Sequence, residues 1–175
     1  MYATHAKRSY AERHHATRYF NELPLERLPQ VNLSVRRAFA SDVLFAERIV
    51  EENTAKYYIR RGDKWTASRF LSTFDEFDNF ILFVNTERAG VLQLRGKGDA
   101  LWIEGLEVKR SHANKGVSSA AVDYAMTVAR RLGYGIIKVQ IFSENPVLDV
   151  YKQLGFSVVR TDADKILLTR STALF

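Results

Sequence analysis

Residues 106–132, LEVKRSHANKGVSSAAVDYAMTVARRL, carry the reading that decides the fold. Leu106, Glu107 and Val108 read as the end of a strand. Residues 111–116 are polar and rich in backbone donors. From Val117 the apolar residues Val117, Ala121, Val122, Ala125, Val128 and Leu132 recur at helical spacing. Gly133 then stands where a helix C-terminus favours a left-handed residue. Strand, donor-rich loop and helix together make an anion site, because the first helical turn has unpaired N–H groups and the positive end of the macrodipole. Gly116 has no β-carbon, so a phosphate can approach the backbone closely there.

This stretch resembles the acyl-CoA pyrophosphate loop of the GNAT superfamily of N-acetyltransferases. The family pattern Gln/Arg-x-x-Gly-x-Gly/Ala falls on Ala113, Asn114, Lys115, Gly116, Val117 and Ser118. Gly116 matches it. Ala113 stands in place of Gln or Arg, and Ser118, still small, in place of Gly or Ala. A second family pattern, Asn-x-x-x-x-x-Tyr-x-x-x-Gly-Phe, is complete from Asn145 through Tyr151 to Gly155 and Phe156. Its spacing from the loop is also that of the family.

The rest of the chain supplies the expected elements. Val31–Phe39 alternates as a strand. Ser41 or Asp42 can cap a helix running through Val43, Leu44, Ala46, Ile49 and Val50 towards Ala55. A second short helix is expected near Trp65–Phe74. Between them, residues 56–65 (KYYIRRGDKW) interleave Lys56, Arg60, Arg61 and Lys64 with Tyr57, Tyr58 and Trp65. Such a stretch can stack on and neutralise nucleic acid, but a charged loop whose aromatics pack on the domain is the preferred reading. Strands follow at Asn79–Asn85, Ala89–Arg95 and Ala100–Val108, then the central helix and a buried strand at Ile136–Phe142. A short helix at Asn145–Leu154 ends at Gly155, and Phe156–Arg160 with Lys165–Arg170 form a hairpin. The order β-α-α-β-β-β-α-β-α-β-β specifies an α/β fold, an α+β mixed sheet, and it is the GNAT order. The resemblance covers roughly residues 31–171. It gives an N-acetyltransferase domain at 31–175 and an N-terminal extension at 1–30. In the extension, Ala16, Tyr19, Phe20 and Leu23 form a helical apolar stripe ended by a linker between Pro24 and Pro29. The extension is expected to be dispensable for coenzyme binding.

Composition excludes several chemistries. At 175 residues, with 46% hydrophobic and 26% charged residues, the chain needs no disulfide or metal to build a core. The absence of cysteine rules out disulfides, thiolate zinc sites and cysteine nucleophiles, and fits a cytoplasmic protein. No apolar run approaches the ~18 residues of a membrane span, and no secretory signal is expected. Four histidines without cysteine argue against a catalytic metal. Gly116-Val117-Ser118-Ser119-Ala120 comes near a nucleophile elbow, yet no histidine follows His112 to complete a triad. The net charge of +6 suits an anionic ligand without naming one.

The resemblance implies acetyl-CoA as cosubstrate, a primary amine as acceptor and no metal. The backbone at Leu106, Glu107 and Val108 would hold pantetheine. Residues Ala113, Asn114, Lys115, Gly116, Val117, Ser118 and Ser119 would cradle pyrophosphate, and Asn145 would contact the coenzyme from the opposite side. Tyr151 takes the family's place for the acid, and Glu104 is the candidate base, with Gly105 beside it permitting a bulge that turns the carboxylate into the cleft. Each residue has a plainer reading: Asn145 as a helix cap, Tyr151 as a core aromatic, Glu104 as a strand carboxylate paired with a lysine or arginine. Neither membrane nor nucleic acid is expected as a partner, and homodimers are frequent in the family. The alternative is a non-catalytic GNAT-fold module that uses its basic surface for nucleic acid or protein, a reading that Ala113 favours.

Overall fold

The computed structural model describes residues 26–28 and 32–173. Its strands and helices come from the two periodicities in the sequence. Strands β1 (Glu26–Leu28) and β2 (Leu33–Arg37) precede helices α1 (Val43–Arg60) and α2 (Ala67–Phe74). Then come β3 (Asp78–Val84), β4 (Glu87–Lys97), β5 (Ala100–Val108), α3 (Val117–Arg131), β6 (Ile136–Phe142), α4 (Leu148–Gln153), β7 (Ser157–Thr161) and β8 (Lys165–Ser171). One sheet holds all these strands in the order β1-β2-β3-β4-β5-β6-β8-β7. Every neighbouring pair is antiparallel except β5 with β6, whose crossover is α3. The expected mixed α/β architecture and element order are therefore present.

Two apolar layers cover the sheet. On one face α3 buries Val117, Ala121, Val122, Ala125 and Val128 against Leu92, Leu94, Leu101, Ile103, Ile137 and Val139. Tyr151 and Phe156 close the same layer at its far end. On the other face Ala46 and Ile49 of α1 and Phe70 and Phe74 of α2 meet Ile81 and Val91. Burying each of the Val, Leu, Ile and Phe side chains stabilises by about 1.5–3 kcal/mol, so both layers hold the helices on the sheet.

Four details correct the expectation. Helix α1 does not stop near Ala55 but runs to Arg60, and Gly62, at φ +70, follows its end. The basic and aromatic residues Lys56, Tyr57, Tyr58 and Arg60 thus belong to a helix and not to a loop. Tyr57 is buried, and Trp65 stacks near Phe70 at 6.3 Å between ring centroids, so these aromatics pack on the domain. Helix α4 begins at Leu148, not Asn145, because Asn145 Oδ1 accepts the Val147 N–H in a turn ahead of it. Asp42 places no side-chain cap on α1. It is buried and held by Arg36 at 2.7 Å. Finally, Glu26–Leu28, expected in a linker, pairs with Leu33–Val35 at the sheet edge. The helical stripe expected at Ala16–Leu23 lies outside the described residues.

Candidate active site

Strands β5 and β6 part company midway. Their parallel ladder joins Ala100–Ile103 to Ile136–Val139 and stops, although β5 runs on to Val108 and β6 to Phe142. On its other side β5 stays paired with β4 to the end, Val108 facing Gly90. Residues 104–108 therefore present an unladdered edge to a wedge-shaped opening. Backbone groups at such an edge are obligatory donors and acceptors, and an extended amide-bearing chain is the ligand that they suit.

The loop that leaves β5 lies at the mouth of this opening. A short 3₁₀ turn at Arg110–His112 leads to Ala113, Asn114, Lys115 and Gly116, all exposed. Asn114 has φ +59. Gly116, the residue before α3, sits at φ 76 and ψ 2, a left-handed conformation that costs an L-residue roughly 1–2 kcal/mol. A glycine at this position has no side chain to cap the helix. The first-turn N–H groups of Val117, Ser118 and Ser119 thus keep no intrahelical acceptor, and the α-helical ladder starts with the Ala120 N–H on the Gly116 carbonyl at 3.0 Å. Exposed Arg110 and Lys115 flank these donors. Donors, dipole and cations together fit a pyrophosphate.

Two carboxyls on β5 stand in different settings. Glu104, the expected base, is bound by Arg95, whose Nε lies 2.7 Å from its Oε1. Arg95 in turn lies over the Phe77 ring at 5.2 Å. Glu107 instead accepts a hydrogen bond from Asn53 Nδ2 of α1 at 2.8 Å, and the same nitrogen reaches the Val108 carbonyl at 3.2 Å. Burial pushes the Glu107 carboxyl up to about 7, against the pull of the Asn53 hydrogen bond and the Lys56 charge. Tyr151 of α4 is buried and packs edge-on against Phe156 at 5.3 Å. Burial raises its phenol well above the ordinary tyrosine range, and the Glu107 charge adds to the rise. The two groups are thus coupled through the field, Tyr151 from α4 and Glu107 from β5. Asn145 is part-buried in the turn ahead of α4.

Helix α1 bridges the opening from strand to strand. Asn53 touches β5, and one turn on Tyr57 and Tyr58 meet Phe142 of β6 at 5.3 and 5.6 Å. Arg61 then lies over the Phe142 ring at 4.2 Å. It donates to both oxygens of Glu144 at 2.7 Å and to the Asp164 carbonyl at 2.9 Å. The Arg61 hydrogen bonds hold the Glu144 carboxyl down at about 2. The basic segment thus forms one wall of the cleft.

Sequence reasoning named Glu107 for its backbone and missed its side chain and Asn53. A signal for Asn53 exists: Ala46, Ile49, Asn53 and Tyr57 fall on one helical stripe, and three of the four are buried. An amide inside an apolar stripe needs a polar partner on the sheet beneath.

The comparisons bear on the family and the fold. The chain aligns over residues 46–156 with the acetyltransferase (GNAT) family. No curated protein sequence matches it. Among solved structures it is similar to the ribosomal-protein-S18-alanine N-acetyltransferase of Escherichia coli, at TM-score 0.66 and 15% identity over 82% of this chain and 96% of that one. It is also similar to the PaiA N-acetyltransferase of Thermoplasma acidophilum in complex with coenzyme A, at TM-score 0.64 and 14% identity over 79% and 98%. A Bacillus subtilis acetyltransferase in complex with CoA gives TM-score 0.64 and 16% identity over 79% and 98%. Identities this low establish the fold alone. Among the described residues no helix is long and apolar enough to cross a membrane, and no group of His, Cys, Asp or Glu side chains is gathered as a metal site. The family match spans most of the chain and includes the split strands, the glycine loop and the Asn145–Phe156 segment: this protein belongs to the GNAT family of acetyltransferases.

Proposed function

We propose that the protein transfers an acetyl group from acetyl-CoA to a primary amine by direct attack in a ternary complex. The observation that carries this reading is the opening where β5 leaves β6, with the 113–119 loop leading from β5 into α3 beside it. The loop N–H groups from Ala113 to Ser119 would take the pyrophosphate. The free edge at Leu106 and Val108 would take the pantetheine amides, with the Val108 N–H directed at the thioester carbonyl, while the Glu107 backbone, expected there too, is paired with Val91 of β4. Asn145 would touch the coenzyme from the α4 side.

The chemistry asks three things of the chain. An alkylammonium has a pKa near ~10.4 and must lose a proton before it attacks. Charge growing on the thioester oxygen needs a donor. The departing thiolate needs a proton, and a neutral phenol at Tyr151 can supply it. Glu104, the base assigned from the sequence, holds its carboxyl against Arg95 and would have to leave that ion pair to serve.

A binding module without catalysis is the competing reading, and Ala113 is the observation in its favour. The two separate in an assay of free thiol released from acetyl-CoA. The acceptors would be a panel of n-butylamine, spermidine, an aminoglycoside, and peptides with a free N-terminus or a lysine. An enzyme releases thiol in step with acetylated product for at least one acceptor. Thermal stabilisation by acetyl-CoA with no thiol release from any acceptor would place the protein with the binding modules.

A further inference from the structure

We propose that Glu107, and not Glu104, takes the proton from the attacking amine, and that Asn53 positions it. This assignment rests on the acetyl-transfer reading and adds a catalytic residue and a positioning residue to it.

The register of β5 turns Glu107 to the α1 face of the sheet. Leu94 of β4 faces Ile103, and Gln93 faces Gly105, so Glu104 is the extra residue of a bulge. A one-residue bulge reverses which face each later side chain takes. Leu101 and Ile103 before the bulge, and Leu106 and Val108 after it, all pack into the α3 layer. Glu107 is thereby turned to the opposite face, under α1. An unbroken strand would have put Glu104 on that face and Glu107 in the α3 layer. The backbone here is tightly held. A β-carbon on Gly90 would lie 2.4 Å from the Glu107 carbonyl oxygen, so β4 can run this close to β5 only with glycine at that position.

Asn53 then sets the carboxylate. Its amide nitrogen has two protons and two acceptors, the Glu107 carboxylate and the Val108 carbonyl. Turning the amide over would set its oxygen against both, so the hydrogen-bond network settles its orientation. The result ties the carboxylate to the backbone of Val108, the residue whose N–H the proposed mechanism directs at the thioester. Asn53 of α1 donates to Glu107 and Val91 of β4 is its cross-strand partner, while Lys56 of α1 and Tyr151 of α4 are the charged and titratable groups coupled to it through the field. Among the described residues no cation lies within ion-pair distance of it, whereas Glu104 is held by Arg95. A carboxyl that burial pushes up to about 7 is a stronger base than an ordinary carboxylate and is still about half ionised at neutral pH, the condition for efficient base catalysis.

The step balances. The ammonium gives one proton to Glu107, and its nitrogen bonds to the acyl carbon. The carbon–sulfur bond breaks, Tyr151 protonates the departing sulfur, and Tyr151 recovers its proton from the second N–H of the new amide. Glu107 returns its proton to solvent, leaving amide, free CoA thiol and one proton.

The test compares pH–rate profiles of thiol release for wild type, Glu107→Gln, Glu104→Gln and Asn53→Ala, with n-butylamine and spermidine as acceptors. A parallel NMR titration follows the ¹³C-labelled glutamate carboxyls, with Glu107→Gln assigning the Glu107 signal. The rate should rise with pH through about 7 in wild type and in Glu104→Gln, because the ionised form is the base. Glu107→Gln should lose that limb and fall by ~10²–10⁴-fold while acetyl-CoA still stabilises it. Asn53→Ala removes a hydrogen bond that favours the charged form, so the limb and the NMR titration should both move to higher pH. Wild-type rate and limb in Glu107→Gln, loss of the limb in Glu104→Gln, or a Glu107 signal titrating in the ordinary carboxyl range would each overturn the assignment. A wild-type protein that acetyl-CoA does not stabilise would strike the acetyl-transfer reading instead, and the NMR titration would still judge Glu107.

Discussion

Gly116→Trp should abolish the thermal stabilisation that acetyl-CoA gives the wild-type protein. At a coenzyme concentration of about 100 times Kd, that stabilisation is worth roughly 2.7 kcal/mol. For a chain of this length it corresponds to a rise in Tm of roughly 5–10 °C. The indole would fill the exposed space over the first-turn N–H groups of α3. It would also force an L-residue into φ 76, at a cost of about 1–2 kcal/mol. Gly116→Ala isolates that backbone cost, since a methyl group strains the loop without occupying it. The expected pattern is a small drop in Tm for both variants, with the coenzyme response lost only in Gly116→Trp. A folded Trp variant with an undiminished response would remove the loop from the coenzyme site.

Tyr151→Phe should lower kcat by ~10²–10⁴-fold, the usual worth of a general acid, and leave acetyl-CoA binding nearly unchanged. Phenylalanine keeps the ring that packs edge-on against Phe156, so the core around it is preserved. Only the hydroxyl is lost. Its raised pKa keeps the phenol neutral throughout the physiological range, so Tyr151 should contribute no alkaline limb to the wild-type profile. The check is a single-turnover measurement with a productive acceptor. An unaltered rate would make Tyr151 a core aromatic and leave sulfur protonation to water.

Element identity was legible because it depends on local periodicity. The α3 stripe, the buried run of β6 and the glycine of the loop each act through near neighbours, and each appears where the pattern put it. The end of α1 was not legible. Lys56, Tyr57, Tyr58 and Arg60 contain no breaker and are compatible with helix or loop, and in the fold Tyr57 and Tyr58 pack on Phe142 while Arg61 clasps Glu144 just past the helix end. The start of α4 was misread for a related reason. Asn145 is a good cap by type, but its side chain closes a turn before the helix begins. The roles of the two carboxyls were hidden deeper. Gly105 signalled a bulge, yet which β5 residue is the extra one depends on the register with β4, and so on Gly90 and Gln93 far back in the chain. That register sends Glu104 to Arg95 and Glu107 to Asn53.

The central claim is that the opening between β5 and β6, with the loop at its mouth, holds acetyl-CoA. Amide hydrogen exchange with and without saturating acetyl-CoA tests it most directly, because the groups said to bind are themselves N–H groups. Exchange should slow at Leu106 and Val108 and across residues 114–119, with no change in β7 at the far edge of the sheet. Unchanged exchange in both segments at a coenzyme concentration that saturates the protein, or protection confined to other elements, would contradict it.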